Sequence, residues 1–293
     1  RNCDWWFADE AVLIDTAGRY VLPVEADDST EWLGFLDLLR KHRGRKPING
    51  LVVGISISDL LQGSEEEAVE HARRIRGRID ELMQRLGISF PVYVLFTKCD
   101  LIRGFVESFG DLSKVQRGQA LGATVALSRS ASTPARRLFD QECERLAEAL
   151  DGARAHRISE MASPEGRPEV LFFPLQFRAV QPRLSRFMDV LFQTNPYQEA
   201  PIFRGFYFTS GTQEGRPIDS VINAMLRGFG IAATTSGMSV EPSQAKSYFI
   251  EDVFSKVVFP DRALAGPSAV GERRRRAGRV RAFTAGAIAL GLF

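Results

Sequence analysis

The stretch VYVLFTKCD, residues 92–100, consists of an apolar run followed by an acidic loop. The stretch AVLIDTAGR, residues 11–19, has the same arrangement earlier in the chain. Short apolar runs of this kind, rich in β-branched residues, are typical of buried strands in a parallel sheet. In open α/β sheets, ligands bind at the carboxyl ends of such strands. The two stretches therefore predict an α/β fold whose functional site lies where the two acidic loops meet.

The order of the two loops resembles that of a P-loop GTPase, which binds magnesium and phosphate at the first loop and the base at the second. The predicted fold is therefore a P-loop-NTPase-like, mostly parallel sheet flanked by helices. The phosphate-binding loop Gly-x-x-x-x-Gly-Lys-Ser/Thr does not occur in the sequence. The chain begins with Arg1 and ends inside an apolar run, so we interpret it as a piece of a longer polypeptide. The loop either precedes this piece or is missing from the protein, and the sequence leaves both open.

The first acidic loop supplies the candidate phosphate-side residues Asp15, Thr16 and Gly18. Asp15 would hold Mg²⁺, and Gly18 would let a backbone N–H approach the γ-phosphate with no side chain in the way. Arg19 stands where Ras-like enzymes carry a water-orienting glutamine, so we expect hydrolysis to be slow, dependent on a partner or absent. The plainer alternative is a strand-to-loop turn, in which Asp and Gly are common.

The second acidic loop supplies the candidate base-side residues Thr97, Lys98 and Asp100. The Asp100 carboxylate would accept two N–H groups of guanine, which adenine does not offer, and the Lys98 methylenes would cover the base. Ser210 follows a strand-like stretch at 203–209 and would be a third base contact, or else part of a loop that closes the domain. The cofactor expected from these residues is GTP or ATP with Mg²⁺.

Ser64 and Glu67 form a capping box that predicts the start of the clearest helix, which Gly87 ends. The apolar runs on either side make this a βαβ unit. Further helices are predicted at 170–192, which Pro174 and Pro182 must break or kink, and at 248–258. We expect three regions: 1–130, the C-terminal part of a P-loop-GTPase-like domain; 131–270, a helical extension with a returning strand near 203–209; and 271–293, a basic linker and the start of a transmembrane helix.

The C-terminal region places six arginines between 273 and 281, directly before the apolar residues 282–293. A dozen helical residues cover roughly 18 Å, less than the ~30 Å hydrocarbon core, so a membrane-spanning helix would have to continue beyond Phe293. The arginines would then mark the cytoplasmic side. The alternatives are a basic linker followed by a short core helix, and a nuclear-localisation or nucleic-acid-binding cluster.

Composition excludes several other classes of protein. The net charge is +2, and the six clustered arginines leave the remainder slightly acidic, which argues against a nucleic-acid partner. The three cysteines lie far apart, as suits a reducing compartment, and show no zinc-ligand spacing.

Longer strings resemble the IcmF/TssM family, the inner-membrane component of type VI secretion systems. The first are CDWWF at 3–7 and AVLIDTAGRY at 11–20. The others are PING at 47–50, FPVYV at 90–94, GF at 104–105, FGDL at 109–112, FRGFYFTSGTQEG at 203–215, YFI at 248–250 and VF at 253–254. The resemblance extends from Asp4 to the C-terminus.

This resemblance implies a region on the cytoplasmic side of the bacterial inner membrane, with the lipid bilayer contacted after Arg281. It implies an NTPase-like domain that docks the membrane complex, with its TssL and TssJ partners, onto the baseplate proteins of a homo-oligomeric assembly. The leading hypothesis is therefore a scaffold that anchors and couples the two parts, with the nucleotide fold as switch or relic. The alternative is an active GTP or ATP hydrolase that drives assembly or effector loading. A signal-recognition-type GTPase is a weaker third, because Leu101 replaces the glycine expected after Asp100.

Overall fold

A computed structural model of the chain describes residues 3–16, 18, 26–44, 46–161, 166–195, 199–211, 246–268 and 271–272. In its main sheet, strands β3 (Leu51–Ser56), β5 (Pro91–Thr97) and β7 (Ile202–Phe208) run parallel, and β6 (Gly122–Thr124) pairs antiparallel with β7. The order across the sheet is β3-β5-β7-β6. The predicted α/β class with a mostly parallel sheet is confirmed.

Three helices of the first half lie in or next to the predicted βαβ unit. They are α1 (Ala26–Arg43), α2 (Ile57–Gln62) and α3 (Glu65–Leu86). Ser64 and Glu67 form the capping box, and Gly87 ends α3 in the left-handed conformation. One face of α3 is buried, as its apolar period predicts. The βαβ unit is therefore confirmed, with α3 connecting the parallel strands β3 and β5.

The helices of the second half pack around the other end of the sheet. They are α4 (Phe105–Phe109), α5 (Lys114–Gly118), α6 (Leu127–Ser132), α7 (Ala135–Glu160) and α8 (Arg167–Leu191). Helix α8 contacts α3, α4 and α7. It continues through both Pro174 and Pro182, so of the two predicted outcomes, a break or a kink, the break does not occur. Strand β7 lies between β5 and β6. The residues after 131 therefore contribute a central strand to the same sheet as the earlier residues.

The first acidic stretch lies on a separate hairpin. Strand β1 (Asp4–Phe7) pairs antiparallel with β2 (Val12–Asp15), and in the described part of the chain neither strand joins the four-stranded sheet. The expectation that both acidic loops end strands of one parallel sheet is therefore not met there. A four-residue turn lets β2 pair with its sequence neighbour β1, whereas joining the main sheet would need a non-local partner.

The middle of the closing segment, as we call residues 246–268, packs against a second apolar cluster on the main sheet. Val253 packs there against Tyr93, Leu95 and Tyr207. The segment contains a π-helical turn (Val253–Val258), a 3₁₀ turn (Pro260–Ala263) and β8 (Gly266–Pro267), which pairs with β4 (Ile88–Ser89). The helix predicted from 248 begins only at Glu251, because Tyr248 instead pairs with Ser210 through their backbones.

The predicted membrane segment at 282–293 and the arginine cluster before it lie outside the residues that the structure describes. Among the helices that are described, none is both long enough and apolar enough to cross a membrane. The boundaries of the three predicted regions stay predictions.

Candidate functional site

The carboxyl ends of β5 and β7 meet in the middle of the main sheet. The parallel register places Phe96 opposite Phe208, and the pairing continues beyond both strands. The Thr209 N–H donates to the Phe96 carbonyl at 2.8 Å, and the Cys99 N–H donates to the Thr209 carbonyl at 3.1 Å. This backbone ladder brings the loop after β5 alongside the loop after β7.

Asp100 and Ser210 meet at this junction. The Asp100 residue is 6% exposed and the Ser210 residue 1%, and the Ser210 hydroxyl donates to a carboxylate oxygen of Asp100. Burial raises the pKa of the Asp100 carboxyl, while the Ser210 hydrogen bond and the charge of Lys98 oppose the shift. The result is a fixed, largely desolvated acceptor that an N–H donor from a ligand would match.

Two residues around Asp100 and Ser210 hold unusual backbone conformations. Lys98 has φ 57° and Phe249 has φ 60°, and no other non-glycine residue in the described ranges has a positive φ. Lys98 begins the 3₁₀ turn that carries Asp100, and Phe249 follows Tyr248, the backbone partner of Ser210. Left-handed backbone is costly for bulky side chains, and it often persists where the surrounding structure fixes a functional loop.

Cys99 has a structural role in the same turn. Its side chain is fully buried, its thiol donates to the Phe96 carbonyl at 3.1 Å, and burial raises the pKa of the thiol. Because the thiolate is the reactive form, this cysteine is not a nucleophile.

The sequence-predicted site residues fall into two groups. Thr97, Lys98, Asp100 and Ser210 come together at the carboxyl ends of β5 and β7. The phosphate-side candidates Asp15, Thr16 and Gly18 are exposed and belong to the hairpin or follow it.

The metal assignment rests on Asp15 alone. Within the ranges that the structure describes, no group of three or more His, Cys, Asp or Glu side chains could hold a metal ion. A single carboxylate remains compatible with Mg²⁺ that takes its other ligands from water and phosphate oxygens. Asp15 would then hold the ion only together with a nucleotide.

Sequence reasoning did not find the contribution of Tyr248 to this site. Its backbone pairs with Ser210 through two hydrogen bonds, of 2.7 and 3.1 Å, and its ring packs edge-on against Phe105. The apolar period of residues 248–258 placed Tyr248 on a helix, and no local signal in the sequence marks a bridge to Ser210.

Comparison with known proteins gives two findings. The IcmF-related N-terminal domain matches residues 25–286 of the chain. The protein named "Type VI secretion system component TssM1" from Pseudomonas aeruginosa is 45% identical over 280 residues, which cover 94% of this chain and 25% of the relative. The chain thus spans about a quarter of the length of that relative. No solved structure gives a significant match. Because the domain match covers most of the chain and the identity is 45% over 94% of it, the chain belongs to the IcmF-related family.

Proposed function

We propose that this chain is the part of a TssM-type protein that couples the inner-membrane complex of a type VI secretion system to its cytoplasmic baseplate. The observation that carries the proposal is the 45% identity, over 94% of the chain, to a protein named as a TssM1 component. In this proposal the folded part acts as a scaffold on the cytoplasmic side, and its partners are TssL, TssJ and the baseplate proteins.

The charge pattern at the C-terminus supports this orientation. The six arginines between 273 and 281 precede the apolar residues 282–293, which is the arrangement of a cytoplasmic flank and an entering membrane helix. The same arginines would bind the anionic headgroups of the inner leaflet.

The test of the scaffold role uses the full-length protein in bacteria that lack it. Phe139 is 0% exposed and its ring packs against Phe96 and Phe206, so Phe139→Asp should unfold this region. Phe172 is 53% exposed on α8, so Phe172→Asp is the matched control. We expect Phe139→Asp to leave the protein in the membrane but to abolish recruitment of a fluorescent baseplate protein and secretion. Recruitment that survives Phe139→Asp would contradict the coupling role.

A second function, guanine-nucleotide binding at Asp100, is favoured by one contact. The hydrogen bond from Ser210 holds the buried Asp100 carboxylate at the carboxyl end of β5. This is the position and residue type that the base-reading loop requires. We propose that a nucleotide bound here acts as a switch on the scaffold, with Asp15 and Mg²⁺ on the phosphate side.

Fluorescent GTP and ATP with Mg²⁺ test this second function on a protein that includes the sequence before Arg1. We expect GTP to bind more tightly than ATP, Asp100→Ala to abolish the preference, and Asp15→Ala to weaken binding only when Mg²⁺ is present. Asp111, an exposed carboxylate after α4, gives the control Asp111→Ala. Equal binding by wild type and Asp100→Ala would leave the scaffold role alone.

Hydrolysis is the less favoured alternative. The residue after Gly18 is Arg19 rather than a water-orienting glutamine, and Asp15 is exposed on a hairpin outside the main sheet. Multiple-turnover phosphate release, measured on the same protein, would reveal an active hydrolase.

A further inference from the structure

A cleft lies between helix α5 and the start of the closing segment, and it has a volume of about 290 Å³. Lys114 and Arg117 line it from α5, and Lys246 and Glu251 line it from the closing segment. Three cationic side chains therefore face one carboxylate across a small recess, which we call the basic cleft. We propose that the basic cleft binds a small anion of the phosphate class.

Arg117 is the best-positioned donor in the basic cleft. Its guanidinium stacks over the Tyr248 ring at 5.7 Å from the ring centre, and the Phe249 N–H donates to the Arg117 carbonyl at 2.6 Å. Its Nε atom is buried and has no hydrogen-bond partner among the described residues. The guanidinium is thus held in place by packing, while its Nε donor has no acceptor among the residues that the structure describes.

The two lysines add charge from either side of Arg117. Lys114 is exposed at the first position of α5 and forms no ion pair with any residue that the structure describes. Lys246 donates to the Gly110 carbonyl at 3.3 Å, so its ammonium is oriented, and no carboxylate in the described ranges forms an ion pair with it. A planar guanidinium fork beside two ammonium groups suits a phosphate dianion better than a single carboxylate.

Glu251 sets the selectivity of the basic cleft. Its carboxylate approaches the α5 backbone so closely that a Cβ at Gly118 would lie 3.2 Å from its Oε2 atom. It makes no ion pair with a described lysine or arginine. A carboxylate beside the anion repels fully ionised ligands and accepts a hydrogen bond from a hydroxyl or amino group.

The basic cleft is distinct from the nucleotide site proposed above, although Tyr248 contacts both. The Tyr248 backbone pairs with that of Ser210, whose hydroxyl donates to the Asp100 carboxylate. The Tyr248 ring packs against the Arg117 guanidinium. None of the residues that line the cleft belongs to the loop after β5. The cleft is therefore separate from the loop that carries Asp100.

Calorimetric titration of residues 1–293 with inorganic pyrophosphate, at low salt and without Mg²⁺, tests the proposal. We expect Arg117→Gln to weaken binding about tenfold or more, because a hydrogen-bonded charge pair is lost. Glu251→Gln should tighten binding severalfold, because it removes the repelling charge. The exposed control Lys41→Gln should leave the affinity unchanged.

Two outcomes would overturn the proposal. One is equal affinity in wild type and Arg117→Gln, and the other is weaker binding in Glu251→Gln. If Arg117→Gln fails to fold, Lys114→Gln takes its place, since Lys114 is exposed and unpaired among the described residues. It should then weaken binding about threefold, because it removes one solvent-screened charge.

Discussion

The Asp100 carboxyl group is largely buried from solvent. The turn after β5 must put some side chain beside Ser210, because the backbone ladder between Cys99 and Thr209 fixes the two loops together. A carboxyl at that position loses hydration, and burial raises its pKa despite the Ser210 hydrogen bond and the Lys98 charge. A group kept at such a cost is expected to serve a ligand rather than stability.

Replacing Asp100 with Asn should stabilise the fold at neutral pH. Because the pKa of the Asp100 carboxyl is raised in the folded state, the folded protein keeps this proton to a higher pH than the unfolded chain does. Stability is therefore lost as the pH rises from the unfolded-state pKa of about 4 through the folded-state pKa. Asparagine keeps an acceptor for Ser210 and carries no charge, so the advantage of Asp100→Asn should be largest near pH 7.5 and shrink towards pH 4.5.

Urea unfolding at several pH values measures this difference in the free energy of unfolding. Asp111→Asn, at an exposed position, is the control and should match wild type throughout. A lower stability of Asp100→Asn at pH 7.5 would mean that the ionised carboxylate stabilises the fold instead.

Helix α3 is the element whose ends and faces agree most closely with its sequence. The Ser64 hydroxyl accepts from the Glu67 N–H at 3.1 Å, and the Glu67 carboxylate accepts from the Ser64 N–H at 2.8 Å. On its outer flank, Arg85 forms a two-pronged contact with Asp37 of α1, and this guanidinium lowers the pKa of the Asp37 carboxyl. The helix therefore connects β3 to β5 with both its start and its neighbour fixed.

Removing the cap should weaken α3 by a measurable amount. Ser64→Ala leaves the Glu67 N–H without its acceptor and should lower the free energy of unfolding by about 1 kcal/mol. Ser64→Asp restores an acceptor at the same position and should recover most of that loss. Urea denaturation of the three proteins provides the comparison, and equal stability of wild type and Ser64→Ala would show that water replaces the cap without cost.

At the scale of the whole molecule, Asp261 fastens the closing segment to the sheet. Its carboxylate accepts from the Tyr93 hydroxyl at 2.7 Å and from the Arg204 Nε at 2.6 Å. The segment is also held by Asn49, which donates to the Arg262 carbonyl at 2.9 Å. Strands β5 and β7 are thereby linked through one carboxylate to residues that lead towards the C-terminal arginines.

Asp261→Ala should loosen the closing segment. The substitution leaves the Arg204 charge and the Tyr93 hydroxyl without their acceptor. Because the Arg204 and Asp261 side chains are only 18% and 14% exposed, we expect the free energy of unfolding to fall by about 2 kcal/mol. Hydrogen exchange at residues 253–258 should speed up more than exchange in β5. The matched control is Asp252→Ala in the same segment, whose contact with Lys256 is a surface pair worth at most about 0.5 kcal/mol. Uniform acceleration across the molecule would instead indicate global destabilisation.

Features that depend on short-range periodicity can be predicted from the amino-acid sequence alone. The apolar runs predicted β3, β5 and β7. Apolar residues three and four positions apart predicted α3, and Ser64 and Gly87 predicted its ends. These features follow from hydrogen bonds and side-chain faces within a few residues, so the local pattern is sufficient to predict them.

Which of these elements lie together follows from long-range contacts in the folded molecule. The tertiary structure placed β2 on a hairpin with β1 instead of beside β5, and it set Ser210 against Asp100 across 110 positions of sequence. It also drew Tyr248 out of the helix that its period predicts, because the backbone pairing with Ser210 replaces the first helical hydrogen bonds. Such choices depend on competition between distant partners for the same backbone groups and buried surface, and no local pattern records the result.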